Sequence, residues 1–180
     1  MNHPGTRLDE MPTTTLVLAG LAGGIAEVAW VGAYDVVSHA SSLEVLRQIV
    51  ASVAPGLATT PAAPALGMAM HLLLSVALAF AYGKLIAVPV RWCAGPGTSM
   101  FAGAVTLGAV WAFNFFVLLP VLNPAFVELM PYAASLVSKL LFGITMGGVL
   151  FQRPPLFAAG AFRSGQRSLT NRRAGQPLLD

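Results

Sequence analysis

Charged residues are scarce in this sequence. Asp, Glu, Lys and Arg together make up 9% of its 180 residues, whereas hydrophobic residues make up 56%. A soluble globular domain usually carries about a quarter of its residues as charged ones. The scarcity, with a mean hydropathy of +0.74, leaves no room for a separate soluble domain of ordinary size and indicates an integral membrane protein.

Cysteine and histidine are also scarce. Cys93 is the only cysteine, so no internal disulfide can form and a thiolate metal site is not expected. His71 is the only one of the three histidines within an apolar stretch, which disfavours a haem held by two histidines. We therefore predict no metal and no cofactor.

Four long apolar stretches account for most of what is present. We predict membrane spans at residues 13–36, 66–88, 99–121 and 131–151, each near the roughly 20 residues that a crossing helix needs. The first stretch is longer than the roughly 7–15 apolar residues of a signal peptide, so we interpret it as a retained helix. The predicted fold is all-α, an integral membrane four-helix bundle at 13–152. It is flanked by a tail at 1–12 and a basic, disordered tail at 153–180.

The first connection has a helical pattern of its own. Ser41 and Glu44 have the spacing of a capping box, and apolar residues then recur at helical spacing. This pattern predicts an amphipathic helix over residues 41–54. It has two placements: an interfacial helix on the outer membrane surface, or a cover packed over the mouth of the bundle.

Lys and Arg placement predicts the orientation. One basic residue, Arg47, lies in the first connection and none lies in the third, whereas the tails and the second connection carry all the others except Lys139. Cytoplasmic segments are enriched in Lys and Arg, so both termini are predicted to be cytoplasmic. The Arg-rich and Ala-rich composition indicates a bacterial source, hence the bacterial inner membrane. Since half of the Lys and Arg residues lie in one tail, topology explains the net charge of +3 without a nucleic-acid partner.

Each of the four predicted spans carries one polar side chain of particular interest: Glu27, His71, Asn114 and Lys139. An ionisable group at such a depth is costly unless it has a partner or faces a cavity. At about 1.5 Å of rise per residue, all four fall in the outer half of the bilayer. We predict a Glu27–Lys139 ion pair with His71 and Asn114 hydrogen-bonded around it.

Glycine spacing predicts which way these charges face. Gly20 and Gly24 share a stripe with Glu27, and Gly143 and Gly147 share one with Lys139. Small residues at this spacing let helices approach closely, so both charged side chains are predicted to point into the bundle. Tyr34 and Asp35, at the end of the same span as Glu27, are candidates for the outer mouth of a polar cavity.

The ion pair has three interpretations. It can serve only to fix the register and orientation of the helices. It can belong to a polar cavity, open to the outer side, that binds a proton or a small solute. In the third, a partner subunit supplies the counter-charges.

Several segments resemble a known group of proteins. These are residues 23–30 (GGIAEVAW), 111–120 (WAFNFFVLLP) with 122–126 (LNPAF), and 138–143 (SKLLFG) with the preceding Pro131 and Tyr132. They resemble small four-span inner-membrane proteins of proteobacteria whose activity is not established, some of them labelled sodium:proline symporters. True sodium–solute symporters are several times longer. The resemblance therefore implies a fold and a compartment, and no catalytic residues.

Small multidrug-resistance transporters offer a second resemblance. They also have four spans and a Glu in the first, within a context similar to Ala26-Glu27-Val28. Their exchange of cations for protons depends on a free Glu and on the pairing of two subunits. This chain departs from them in its greater length, its extended first connection and the presence of Lys139.

These observations favour a non-enzymatic accessory or assembly component, with the lipid bilayer and a homo-oligomer or larger membrane complex as its partners. The alternative is a small proton- or ion-coupled transporter that uses Glu27 as the titrating group. A lipid-modifying enzyme would rest only on the proximity in sequence of Asp35, His39 and Glu44. We therefore predict no catalytic residues.

Overall fold

Helices make up the described part of the chain. The computed structural model describes residues 11–38, 41–87 and 96–152, and no strand occurs within these ranges. The predicted tail at 153–180, most of the tail at 1–12 and most of the second connection lie outside the described residues. The α-helices are α1 Thr13–Ser38, α2 Ser42–Val53, α3 Ala63–Tyr82, α4 Pro96–Phe113, α5 Pro124–Leu129 and α6 Tyr132–Gln152. A π-helical segment, Gly83–Ala87, extends α3. A second π-helical segment, Asn114–Leu118, and an α-helical turn, Leu119–Leu122, extend α4.

Four of these helices are long and apolar enough to cross a membrane. They are Thr13–Ser38, Ala63–Leu85, Gly97–Leu122 and Tyr132–Phe151, and each boundary lies within about three residues of the predicted one. Large apolar side chains point away from the bundle, among them Ile25 at 61%, Leu73 at 71% and Phe101 at 70% exposure. The predicted all-helical class is confirmed, and four such helices are compatible with a multi-pass membrane protein.

The long helices pack in the order α3, α1, α6, α4. Close contact joins α3 to α1, α1 to α6, and α6 to α4, whereas α3 and α4 approach each other little in the described ranges. They meet at one end, where the Tyr82 hydroxyl donates a hydrogen bond of 3.2 Å to the Ser99 carbonyl. The circle of helices is therefore left open between α3 and α4 over most of its length.

Glycines mark two of these helix crossings. A Cβ atom on Gly20 would lie 2.6 Å from the Val76 Cα of α3, and one on Gly147 would lie 2.5 Å from the Ser99 carbonyl oxygen of α4. Gly24 also faces α3 and Gly143 also faces α4, so all four predicted packing glycines lie at crossings. Only residues without a Cβ allow the backbones to approach so closely.

Two buried clusters distinguish the ends of the bundle. Leu16 near the start of α1 and Leu150 near the end of α6 lie in one cluster with Leu107 and Met146, so the two outermost spans begin and end on the same side. We call this the core end. The second cluster contains Val45, Trp111, Phe115 and Met130. It lies at the opposite end, which α2 and α5 cover, and we call it the covered end.

The helix α2 is tied to the bundle at both of its ends. At its start, Asp35 accepts hydrogen bonds from the Ser42 amide at 3.1 Å and from the Ser42 hydroxyl at 2.6 Å. In its last turns, the Asn123 amide group donates to the Gln48 carbonyl and side chain, and to the Ser52 hydroxyl, at 2.9–3.1 Å. Between them, the Leu46 carbonyl packs directly on Gly67 of α3. This arrangement corresponds to the cover, and contact of α2 with a membrane surface stays a prediction.

One half of the predicted capping box is present. The Ser41 hydroxyl accepts from the Glu44 amide at 3.2 Å, but the Glu44 carboxylate accepts from the Gln48 side chain at 2.9 Å. The expected hydrogen bond from the Ser41 amide to the Glu44 carboxylate is therefore replaced by the Glu44–Gln48 side-chain hydrogen bond, one helical turn further along.

Candidate functional site

A cavity of about 590 Å³ occupies the covered end of the bundle. Its walls come from α1, α3, α4 and α6, and α2 and α5 form its roof. Most of the lining is apolar, and its ionisable side chains within the described ranges lie together at the floor. The apolar wall includes Val31, Leu74, Leu78, Phe115, Leu118 and Phe142. Cavities of this size and character are typical of small-molecule binding sites.

An ion pair lies on the floor of this cavity. The Lys139 ammonium nitrogen is 2.5 Å from Glu27 Oε1, and the Ser138 hydroxyl lies 3.4 Å from the same oxygen. Ser138 makes its shorter hydrogen bond, of 2.7 Å, to the Ser135 carbonyl. Since a hydroxyl has one proton, Lys139 is the main partner of Glu27. Only 8% of the Glu27 surface is exposed, so the pair joins α1 to α6 away from solvent.

His71 reaches this pair from α3. Its Nε2 atom lies 4.0 Å from Glu27 Oε2 and 3.3 Å from the Gly24 carbonyl oxygen. A carbonyl oxygen only accepts hydrogen bonds, so this second contact is a hydrogen bond when Nε2 carries the proton. His71 then lies beside the carboxylate, a small movement away from bonding to it.

The floor keeps unused hydrogen-bonding capacity. Within the described ranges, Glu27 Oε2 is buried and has no hydrogen-bond partner. Lys139 Nζ carries three N–H donors, and Glu27 is its only polar partner in the same ranges. Its other contact is the Phe142 ring, 6.0 Å from the nitrogen. The floor therefore holds donors that face the cavity, beside a buried acceptor that a rotation of the Glu27 carboxylate can turn toward it.

The structure brings three of the four predicted cluster residues together, and Asn114 stands apart. Asn114 lines the same cavity but makes no hydrogen bond to Glu27, His71 or Lys139 in the described ranges. The prediction that Asn114 bonds to the pair is wrong: α4 makes little contact with α1 or α3, which keeps Asn114 away from Glu27 and His71. The hydrogen bond predicted between His71 and the pair is not formed either, since Nε2 stays 4.0 Å from Glu27 Oε2. Asn114 begins the π-helical segment, where its carbonyl accepts from the Leu119 amide. Such segments are frequent at functional sites.

The predicted outer-mouth residues have another place. Neither Tyr34 nor Asp35 lines the cavity. Asp35 holds the start of α2, and the Tyr34 carbonyl accepts from the Ser38 hydroxyl at 2.7 Å. The last turns of α1 extend past the cavity, and α2, which follows them in the chain, forms the roof. Of the proposed enzyme residues near this point, His39 lies outside the described ranges.

Three interhelical hydrogen bonds around the cavity were not foreseen. The Trp111 indole donates to the Ser135 hydroxyl at 2.9 Å, and the Trp30 indole donates to the Ala134 carbonyl at 2.9 Å. The third is the Asn123 amide bonded to α2. The Asn123-Pro124 pair is a recognisable helix start, since Asn is a favoured N-cap, but its amide nitrogen bonds to a helix 70 residues away in sequence.

The fold and the cavity together define a four-helix bundle of span-capable helices that encloses a mainly apolar cavity with a charged floor. In the described ranges, no group of three or more His, Cys, Asp and Glu side chains is positioned to hold a metal ion. Comparison with protein-family models, with curated proteins and with solved structures gives no match to this chain.

Proposed function

We propose that this chain is a multi-pass membrane protein that binds a small molecule in the cavity at its covered end. One observation carries the proposal: a 590 Å³ apolar-walled cavity ends on a buried ion pair. Ligand sites generally combine such walls with a few convergent polar groups that fix the orientation of the ligand. The apolar part of the ligand lies along the walls and its polar end lies on the floor.

The unused oxygen of Glu27 favours binding over a purely structural role. A buried carboxylate oxygen without a hydrogen-bond donor is unfavourable, and Oε2 is in this condition. A pair that only fixes helix register needs no cavity beside it, and protein groups could satisfy both carboxylate oxygens. A bound molecule that brings a donor into the cavity removes the unfavourable term.

The accessory-component hypothesis receives less support. It was motivated by the small size of the chain, its glycine faces and its lack of reaction motifs. Gly20, Gly24, Gly143 and Gly147 instead pack against α3 and α4 of this chain. They are therefore not available as a docking face.

A proton-coupled transporter is the second candidate, and the position of His71 favours it. Its Nε2 lies 4.0 Å from the unused Glu27 oxygen, so a small rotation brings a proton donor and an acceptor into contact. We propose the bacterial inner membrane with the core end facing the cytoplasm, following the distribution of Lys and Arg. Proteoliposomes with an internal pH dye provide the test. An imposed pH gradient should decay faster with the wild type than with Glu27→Gln/Lys139→Met, and equal rates contradict coupling.

The binding proposal is tested by filling the cavity. Val31 lines it from α1, and Val31→Trp places an indole inside. The matched control is Ile25→Trp, on the same helix but pointing outward with 61% exposure of the native side chain. Purified full-length protein in lipid nanodiscs is exposed to two photoreactive probes, an octane and an octanol that each carry a diazirine.

Mass spectrometry then locates the labelled residues. At least one probe should label cavity residues in the wild type and in Ile25→Trp, and Val31→Trp should lose this labelling. If neither probe labels the cavity in the wild type, or if both variants label equally, the binding proposal fails.

A further inference from the structure

The polarity of the cavity floor limits which head group can bind there. Glu27 Oε2 needs a hydrogen-bond donor, while Lys139 Nζ has N–H groups to give. A head group that only accepts, such as an ether, leaves the carboxylate oxygen unsatisfied. A group that donates and accepts through one atom, as a hydroxyl does, satisfies both sides of the ion pair.

The charge balance of the floor excludes ionic head groups. Among the residues that the structure describes, three ionisable side chains line the cavity: Glu27, Lys139 and His71. The first two neutralise each other. With Nε2 donating to the Gly24 carbonyl, a neutral His71 adds no charge. An added carboxylate meets Glu27 and an added ammonium meets Lys139, and neither finds a free counter-charge. Burying a charge without one is strongly unfavourable.

The access route to the cavity is lateral. The roof is fastened by Asn123, which is buried and bonded to α2. By contrast, α3 and α4 approach each other little in the described ranges. Each of these two helices also has a side chain that lines the cavity and is exposed, Leu74 of α3 at 55% and Leu118 of α4 at 40%. A gap between apolar side chains in a span-capable bundle opens toward hydrocarbon.

From these three features we infer that the ligand is an uncharged amphiphile with a hydroxyl-type head group, which enters from the bilayer between α3 and α4. This inference rests on the proposed binding function. Rotation of the Glu27 carboxylate turns Oε2 toward the cavity, where the hydroxyl donates to it and accepts from Lys139 Nζ. The aliphatic body lies along the wall that Leu74, Leu78 and Phe115 form. The walls supply affinity through apolar burial, and the floor supplies the selection of the head group.

Competition for the diazirine-octanol site tests the head group. The competitors are octan-1-ol, octane, octanoate and octylammonium. For each one, the concentration in the nanodisc membrane that displaces half of the probe is measured at pH 7. Octan-1-ol should displace the probe at about one tenth of the concentration that the other three need, because two hydrogen bonds to charged groups are made only by the alcohol. Equal or stronger competition by octane or by either ion overturns the inference.

A floor variant keeps this test specific. Glu27→Leu/Lys139→Met removes both charges together and leaves the walls in place. The advantage of octan-1-ol over octane should then disappear while cavity labelling persists. An advantage that survives in this variant overturns the assignment of the floor as the head-group site. If the variant does not fold, the competition series on the wild type still decides the class of ligand.

The entry route is tested with two neighbouring residues of α3. Leu74→Trp narrows the gap, whereas Leu73→Trp enlarges a side chain that is already 71% exposed and does not line the cavity. Leu74→Trp should slow labelling at early times relative to Leu73→Trp. Equal rates overturn lateral entry.

The two proposals fail in different ways. Absence of any cavity labelling in the wild type defeats the binding function itself. Labelling that Val31→Trp abolishes but that ions or octane displace as well as octan-1-ol defeats only the inference about the ligand.

Discussion

Removal of one member of the Glu27–Lys139 pair should destabilise the protein far more than removal of both. Lys139→Met leaves the carboxylate of Glu27, a residue that is 8% exposed in the native protein, with Ser138 at 3.4 Å and His71 at 4.0 Å as its remaining polar neighbours. We expect the free energy of unfolding to fall by about 3 kcal/mol, at the lower end of the range for breaking a buried pair, because these two groups can turn toward the carboxylate.

Glu27→Gln should have a smaller effect. The Lys139 side chain is 19% exposed, and its flexible stem lets the ammonium extend into the cavity. A loss of about 2 kcal/mol is expected. The double variant Glu27→Gln/Lys139→Met leaves no unpaired charge, so its free energy of unfolding should fall by no more than that of Glu27→Gln alone. The coupling free energy between the two positions should therefore be about 3 kcal/mol.

The assay is reversible unfolding in mixed micelles with increasing dodecyl sulfate, followed by far-UV circular dichroism. Lys84→Met and Glu128→Gln serve as charge-matched controls, since both native side chains are exposed. Neither control should change the free energy of unfolding by more than about 0.5 kcal/mol. Losses for Lys139→Met and Glu27→Gln that simply add in the double variant would refute a dry, mutually dependent pair.

Three further predictions concern packing around the site. Gly147→Ala should lower the free energy of unfolding by about 1–3 kcal/mol because its Cβ meets the Ser99 backbone. The control is Gly148→Ala, whose Cβ meets only Met100 Cγ at 3.8 Å and which should change the free energy of unfolding by less than about 1 kcal/mol. Similar losses in the two variants would contradict a close helix crossing at Gly147. Asn123→Ser keeps an N-cap for α5 but removes the amide that holds α2, so hydrogen exchange over residues 42–53 should accelerate about tenfold; faster exchange confined to α5 would contradict this role. Ser135→Ala leaves the buried Trp111 indole without its acceptor and should lower the free energy of unfolding by about 1–3 kcal/mol in the same micelle titration. An added Trp111→Phe should partly reverse this loss, and no reversal would contradict a role for the hydrogen bond.

The helices could be predicted from local signals. Span length and hydropathy place all four long helices within about three residues of their boundaries. The glycine stripes and the amphipathic pattern of α2 are likewise local, because they depend only on which residues share a helix face. Such patterns need no knowledge of the neighbouring helix.

Side-chain partners beyond the pair were harder to predict. Asn114 was expected to bond to Glu27 or Lys139, and Tyr34 with Asp35 to line a mouth, yet neither arrangement occurs. Position along the helix gives the depth of each of these side chains. Their contacts depend instead on how each helix is rotated and on which helices lie beside it. Helical periodicity identifies a face but not what lies opposite it, so the order α3, α1, α6, α4 could not be deduced.

The sequence by itself determined that Glu27 and Lys139 would each need a partner or a cavity inside an apolar bundle, because neither charge is tolerated alone in hydrocarbon. Only the tertiary structure decided that the pair would have empty space beside it. Glycine contacts draw α1 to α3 and α4 to α6, while α3 and α4 stay apart except where Tyr82 meets Ser99. The space between helices depends on every contact that separates them, and no single segment of the chain encodes it.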